Sequence, residues 1–403
     1  MRRRDVLRIT AGAALAPLAM PALARGAVGP RRLVVVLLRG AVDGLSVVVP
    51  HGEEAYYAAR PTIAIAKPDT GEGAGLALDG YFALHPALAA LMPLWRERQL
   101  AFVHAAGSPD PTRSHFDAQL FVETGTPGRR AAAEGWMNRL LAALPGPRGP
   151  TDAVAVGPSL PQILRGPLAA ANLPLGPAAG QQLAIDRPEV AGAFDRLYTG
   201  NDTLARAYRQ GRAARAELLA QIGPEPPADG GASPPGGFPA QAARLAHLLG
   251  RDSRIRLAFV ALGGWDTHVR QGAAQGQLAD RLRPLGDGLA ALAQGLGPAW
   301  RDTVVVVLSE FGRTVRENGD GGTDHGHGNA VWLLGGRVRG GQVYGDWPGL
   351  TADRLYEGRD LAVTTDFRTV LASVIARHLR LPDRALAKIF PDPPRGAELP
   401  LIV

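Results

Sequence analysis

Residues Arg32–Leu38 read Arg-Leu-Val-Val-Val-Leu-Leu, a near-continuous aliphatic run. Successive side chains of a strand point to opposite faces, so a run without alternation needs apolar cover on both sides. Runs of the same kind stand at Ala101–His104, Ala153–Val156, Ile255–Leu262, Thr303–Leu308 and Ala330–Leu334. Between them, apolar residues recur at helical spacing over Leu84–Arg98, Thr203–Ile222, Pro239–Leu249, Gln277–Leu296 and Thr365–Leu379. Buried strands alternating with helices predict an α/β fold: a mostly parallel central sheet with helices on both faces.

The chain has 403 residues, 46% apolar and 20% charged, which suits one large packed domain. That domain is expected over 25–403, with a helical insertion near 157–238 bounded by the Pro/Gly-rich stretch Gly223–Pro239. There is no cysteine, which excludes disulfides, thiolate metal sites and a cysteine nucleophile. The net charge is +7, and all but two of the 44 basic residues are arginine. No basic run interleaved with aromatics occurs in the body of the chain, so nucleic acid is not an expected partner.

The N-terminus reads as an address. Arg3-Arg4-Asp5-Val6-Leu7-Arg8 precedes a weakly apolar stretch from Ile9 to Ala22 and a small-x-small site, Ala22-Leu23-Ala24. This is the layout of a secretory signal over residues 1–24, with paired arginines of the twin-arginine type. It predicts handling by the twin-arginine export machinery and a periplasmic or secreted product. The stretch is too short and too broken by Gly and Pro to span a bilayer.

In open α/β sheets, ligands sit beyond the carboxyl ends of the strands. Asp43 follows the first aliphatic run, and Ser114-His115-Phe116-Asp117 follows the second. Gly263-Gly264-Trp265-Asp266-Thr267-His268 follows the run at 255–262, and Ser309-Glu310-Phe311-Gly312-Arg313 the one at 303–308. The next loop carries Asp324-His325-Gly326-His327 between glycines. Carboxylates and imidazoles without thiolates suit Zn²⁺, Mn²⁺ or a similar divalent ion. Each piece also has a plainer reading. Asp43 can form a turn, Asp266 and Ser114 can cap helices, and Glu310 can pair with Arg313. Together they predict that Asp43, Asp266, His268, Glu310, Asp324, His325 and His327 meet at one edge of the sheet. Of the other histidines, His104, at a strand end, is held in reserve.

The segments LLRGAVDGL (37–45), SHFDAQ (114–119), ETG (123–125), EGWMNRLL (134–141), GGWDTH (263–268), SEFGRT (309–314), GTDHGHG (322–328) and TTDFRTV (364–370) resemble the family named domain of unknown function 1501. That family in turn resembles the alkaline phosphatase and sulfatase superfamily. This second resemblance implies a three-layer α/β/α sandwich and one or two Zn²⁺ or similar ions held by the carboxylates and histidines above. It implies a nucleophile at Ser114, with Thr112 as competitor and His115 beside it. Arg39, Arg113 and Arg313 would contact an anionic group. The implied function is an exported metal-dependent hydrolase of phosphate or sulfate esters, on an anionic small-molecule or glycan substrate. The alternative is an exported, non-catalytic binding or assembly protein on the same fold.

Overall fold

The computed structural model describes residues 30–157, 159–173, 188–222, 235–392 and 398–403. The export signal expected over 1–24 lies outside the described residues, as does most of the connection at 223–239.

Twelve strands occur among the described residues. They are β1 (Arg32–Leu38), β2 (Val48–Val49), β3 (Leu76–Ala77), β4 (Ala83–Leu84), β5 (Leu100–Gly107), β6 (Ala153–Val156), β7 (Ala171–Leu173), β8 (Leu257–Leu262), β9 (Thr303–Ser309), β10 (Asn329–Gly335), β11 (Gln342–Tyr344) and β12 (Thr365–Asp366). Nine form one sheet in the order β11-β5-β10-β9-β1-β8-β6-β7, with β12 paired to β5. Every pairing in it is parallel except those of β10, which runs antiparallel to both β9 and β5. The reason is local. The chain leaves β9 and re-enters through a loop at 310–328 that contains no crossover helix. A strand reached that way must run back.

The sheet is covered on both faces, as the unalternating runs require. In β1, Val34, Val36 and Leu38 face one core, where they meet the helices Phe238–Arg251 and Gln277–Leu296. Leu33, Val35 and Leu37 face the other, with the helices Trp136–Ala143 and Phe367–His378. This is a three-layer α/β/α arrangement. Trp136 is fully buried, with its ring centroid 5.7 Å from that of Phe390. The pattern expected to be helical from Leu84 begins as a 3₁₀ segment, Pro86–Leu91, and becomes α-helical only over Met92–Arg96. Pro86 and Pro93 each remove a backbone donor there. The segment 157–238 contributes the sheet-edge strand β7 and then the helices Pro188–Leu197 and Thr203–Ile222. No helix among the described residues is long and apolar enough to cross a membrane.

The topology decides where the polar loops go. The carboxyl ends of β1, β5, β8 and β9 share one edge. Because β10 is reversed, the loop preceding it lies on that edge too.

Candidate functional site

Three imidazoles meet at the carboxyl edge. His115 opens the helix His115–Thr124, His268 lies beyond β8, and His325 lies on the loop before β10. His115 Nε2 is 3.0 Å from His325 Nε2, and His268 Nε2 is also 3.0 Å from it. The Asp266 carboxylate completes the group. Its Oδ1 is 3.0 Å from His268 Nε2 and 3.3 Å from His325 Nε2, and its Oδ2 is 3.5 Å from His115 Nε2. Ligand atoms of His115, Asp266 and His325 all lie within 4.8 Å of one another.

The other ring nitrogens are committed. His115 Nδ1 donates to Glu310 Oε1 at 2.9 Å, His268 Nδ1 to Asp324 Oδ1 at 3.1 Å, and His325 Nδ1 to the Arg113 carbonyl at 3.0 Å. All three partners are pure acceptors, so each Nδ1 carries a proton and each ring turns its Nε2 inward. A hydrogen bond that fixes the tautomer in this way is the usual support of a metal-binding histidine. Lone pairs facing one another and a carboxylate repel. One added proton can bridge only one of the imidazole contacts, whereas a cation answers all of them. The donor set therefore fits a divalent ion: this is a possible His/Asp metal site.

Glu310 is held tightly for its supporting role. Its Oε1 also accepts from Gly40 N–H at 2.8 Å and Gln119 Nε2 at 2.9 Å. Burial pushes the Glu310 carboxyl up, but the bonds from His115, Gln119 and Gly40 outweigh it and hold it below the usual range. The same bond to Glu310 raises His115, against the opposing effect of burial. His325 is lowered by burial and by the nearby charge of His115. Gly40 has φ +115°, and a Cβ there would stand 2.8 Å from the Asp266 backbone nitrogen. Only glycine lets the β1 loop come this close to the Asp266 loop. At Gly326 a Cβ would stand 2.4 Å from the Arg313 carbonyl, so His325 depends on a glycine beside it.

Asp43 does not join the cluster, which corrects the expectation that it would. It is fully buried and faces Arg60, whose Nη1 and Nη2 donate to Oδ2 at 2.6 Å and to Oδ1 at 3.1 Å. Ser46 Oγ and Gln271 Nε2 each donate to Oδ2 at 2.7 Å. Gln271 Oε1 in turn accepts from Thr267 at 2.7 Å and Thr323 at 3.0 Å. Asp43 thus ties together the loops that carry Asp266 and His325. Burial pushes its carboxyl up, but Arg60, Ser46 and Gln271 outweigh this and hold it below the usual range.

Other expected residues also land elsewhere. His327 is buried and stacks on Tyr356 at 4.6 Å, away from the three converging rings. Glu310 and Asp324 support histidines rather than facing the centre. Ser114 caps the helix, its Oγ accepting from Asp117 N–H at 3.5 Å, and no hydrogen bond links it to the cluster. Thr112 accepts from Ser114 N–H. His115, expected beside a nucleophile, is itself one of the converging imidazoles. The arginines are engaged: Arg39 with Glu123 at 2.7 Å, Arg113 with Glu357 and Asp360 at 2.7 Å each, and Arg313 with Asp266 at 2.8 Å. His104 is a core residue, its Nε2 donating to the Val48 carbonyl, and burial pushes it down to about 4.

Arg60, Gln119, Gln271 and Asn318, which donates to Asp324 Oδ1 at 3.1 Å, were not singled out from sequence. Gln119 had a signal: it lies one helical turn beyond His115, on the same face. Arg60 had none in so arginine-rich a chain.

Residues 30–390 match the family model described as "Protein of unknown function (DUF1501)", and the chain belongs to that family. No curated protein matches it. Among solved structures it is similar to the C-terminal periplasmic domain of EcEptC from Escherichia coli, with 13% identity over 76% of this chain and 72% of that one, and a TM-score of 0.37. It is similar to the lipoteichoic acid synthase LtaP from Listeria monocytogenes, with 10% identity over 79% and 70% and a TM-score of 0.35. Alkaline phosphatase from the Antarctic bacterium TAB5 is also similar, with 10% identity over 76% and 91% and a TM-score of 0.35. These superpositions are loose, and the site rests on its own geometry.

Asp43 gives the first test. Asp43→Asn leaves the Arg60 charge buried without its counter-ion and should lower stability by about 3–5 kcal/mol, measured by denaturant unfolding at pH 7. The folded-state carboxyl titrates below its unfolded value. Its contribution is therefore present above the unfolded value and lost as pH falls through the folded one. The gap between wild type and variant should accordingly narrow in acid. A variant as stable as wild type at neutral pH would contradict the role given to the pair.

Proposed function

We propose that the protein is an exported, metal-dependent hydrolase of phosphate or sulfate esters. The observation that carries the reading is the set of three Nδ1-anchored imidazoles and one carboxylate turned toward a common centre at the carboxyl edge of the sheet. His115, His268, His325 and Asp266 would hold the ion, Zn²⁺ or a similar divalent cation. When bound, it would polarise an ester oxygen and lower the pKa of an attacking hydroxyl or water.

The chain's own groups supply the remainder. Glu310, Asp324 and the Arg113 carbonyl hold the imidazoles by their Nδ1 atoms and keep each Nε2 aimed at the centre. Asp266 and His268 are more than a third exposed in their side chains, so an anionic substrate can approach from solvent. Arg39 would meet that anion. Its side chain is 38% exposed and a single carboxylate holds it. In the overall reaction water adds to phosphorus or sulfur, the bond to the alcohol oxygen breaks, and a proton goes to the leaving alcohol.

The chelator-stripped protein, reloaded with Zn²⁺ or Mn²⁺, should hydrolyse 4-nitrophenyl phosphate or 4-nitrophenyl sulfate and lose that activity on renewed chelation. Absence of hydrolysis in the loaded protein would overturn the hydrolase reading in favour of a binding protein. Ser114→Ala decides the attacking group. A loss of less than about tenfold in kcat assigns attack to water, and a loss of roughly a thousandfold or more assigns it to Ser114.

Export through the twin-arginine route is part of the proposal, on the strength of Arg3-Arg4 ahead of a weakly apolar stretch. Replacing both arginines by lysine should leave full-length precursor in the cytoplasm. Normal export and trimming of that variant would contradict it.

A further inference from the structure

A chain of alternating charges runs inward from the cluster. Behind Asp266 lies Arg313, its side chain wholly buried and its Nη1 2.8 Å from Asp266 Oδ1. Nη1 meets Asp266 as an ion pair without hydrogen-bond geometry, and among the described residues Nε and Nη2 have no hydrogen-bond partner either. Asp43 and Asp324 lie close enough for their charges to act on it. Behind Asp43 lies Arg60, also fully buried, with Nε and Nη2 donating at 2.9 Å to the carbonyls of Val315 and Thr314, next in sequence to Arg313. Two buried guanidinium groups thus stand against Asp266 and Asp43.

A pair of divalent ions in a hydrolytic site stands about 3.5–4 Å apart, and each ion needs its own donors. The two buried carboxylates nearest the cluster are already used. Asp43 accepts four bonds, from Arg60 twice, Ser46 and Gln271. Glu310 Oε1 accepts three, and its Oε2 lies 2.9 Å from Ser309 Oγ. Asp324, half exposed, spends one oxygen, Oδ1, on both His268 and Asn318. A second dication would also stand against a buried, permanently charged guanidinium, at a high electrostatic cost in so little solvent.

We propose that the cluster takes one divalent cation, and that Arg313, backed by Asp43 and Arg60, stands where a second ion would otherwise sit. The inference deepens the proposed function and rests on its metal site. It makes the second positive charge of the site part of the polypeptide, fixed in place and independent of metal supply. It also separates Asp43 from metal binding, although Asp43 stands directly after the first strand.

The test is a calorimetric titration of the chelator-stripped full-length protein with Zn²⁺ and with Mn²⁺, together with metal analysis after dialysis. One equivalent per chain is expected, abolished by His325→Ala. Two equivalents would overturn the inference and leave the hydrolase reading standing. No binding would overturn both. The double variant Asp43→Leu/Arg60→Met removes the buried pair together, a change that often leaves stability intact. Gln271 stays held by Thr267 and Thr323 in it. Folded by circular dichroism, it should still bind one equivalent, because His115, His268, His325 and Asp266 are all retained. A folded double variant that binds no metal would return Asp43 to the site. Should that variant not fold, the wild-type stoichiometry decides alone.

Discussion

Three imidazoles converge, the Nε2 atoms of His115 and His268 each standing 3.0 Å from that of His325, with the Asp266 carboxylate beside them. This constraint organises the carboxyl edge of the molecule. Each ring is fixed from behind by an acceptor: Glu310, Asp324 or the Arg113 carbonyl. Without these acceptors the rings could turn, and without a positive charge at the centre they would repel. The stability of the loops and the chemistry of the site are therefore coupled. Binding a cation there adds to folding free energy, because the unfolded chain has no assembled site.

The sheet makes the arrangement possible at a distance. Asp266 and His268 come from the loop after β8, His115 from the helix after β5, and His325 from the loop before β10. These strands are not neighbours in sequence, and β10 would deliver its loop to the opposite edge if it ran parallel. The reversal of one strand in a parallel sheet is thus what brings His325 to the other two imidazoles. The Asp43–Arg60–Gln271 network then holds the loops in register, since Gln271 bonds Asp43 on one side and Thr267 and Thr323 on the other.

The strands were legible because burial on both faces leaves a direct mark: an aliphatic run without alternation. The edge that carries the site was legible too, since candidate polar residues followed four of the six runs. What the sequence could not separate was a carboxylate that faces the centre from one that supports a histidine. Asp266, Glu310 and Asp324 each follow or precede a strand among glycines, and only their orientation differs. Asp43 looked like a member of the group because its position suits one. Its role turned on Arg60, 17 residues on, in a chain where an arginine carries little information. The direction of β10 was hidden for a similar reason. A run buried on both faces reads the same whichever way it points.

The central claim is that His115, His268, His325 and Asp266 surround one ion. X-ray absorption at the zinc edge, on protein carrying one equivalent of Zn²⁺, reads that environment directly. The account predicts three imidazole nitrogens at about 2.0–2.1 Å and a carboxylate oxygen at about 2.0–2.2 Å, with the imidazole signal reduced in His268→Ala. A shell of oxygen alone, or a spectrum unchanged by that substitution, would contradict it.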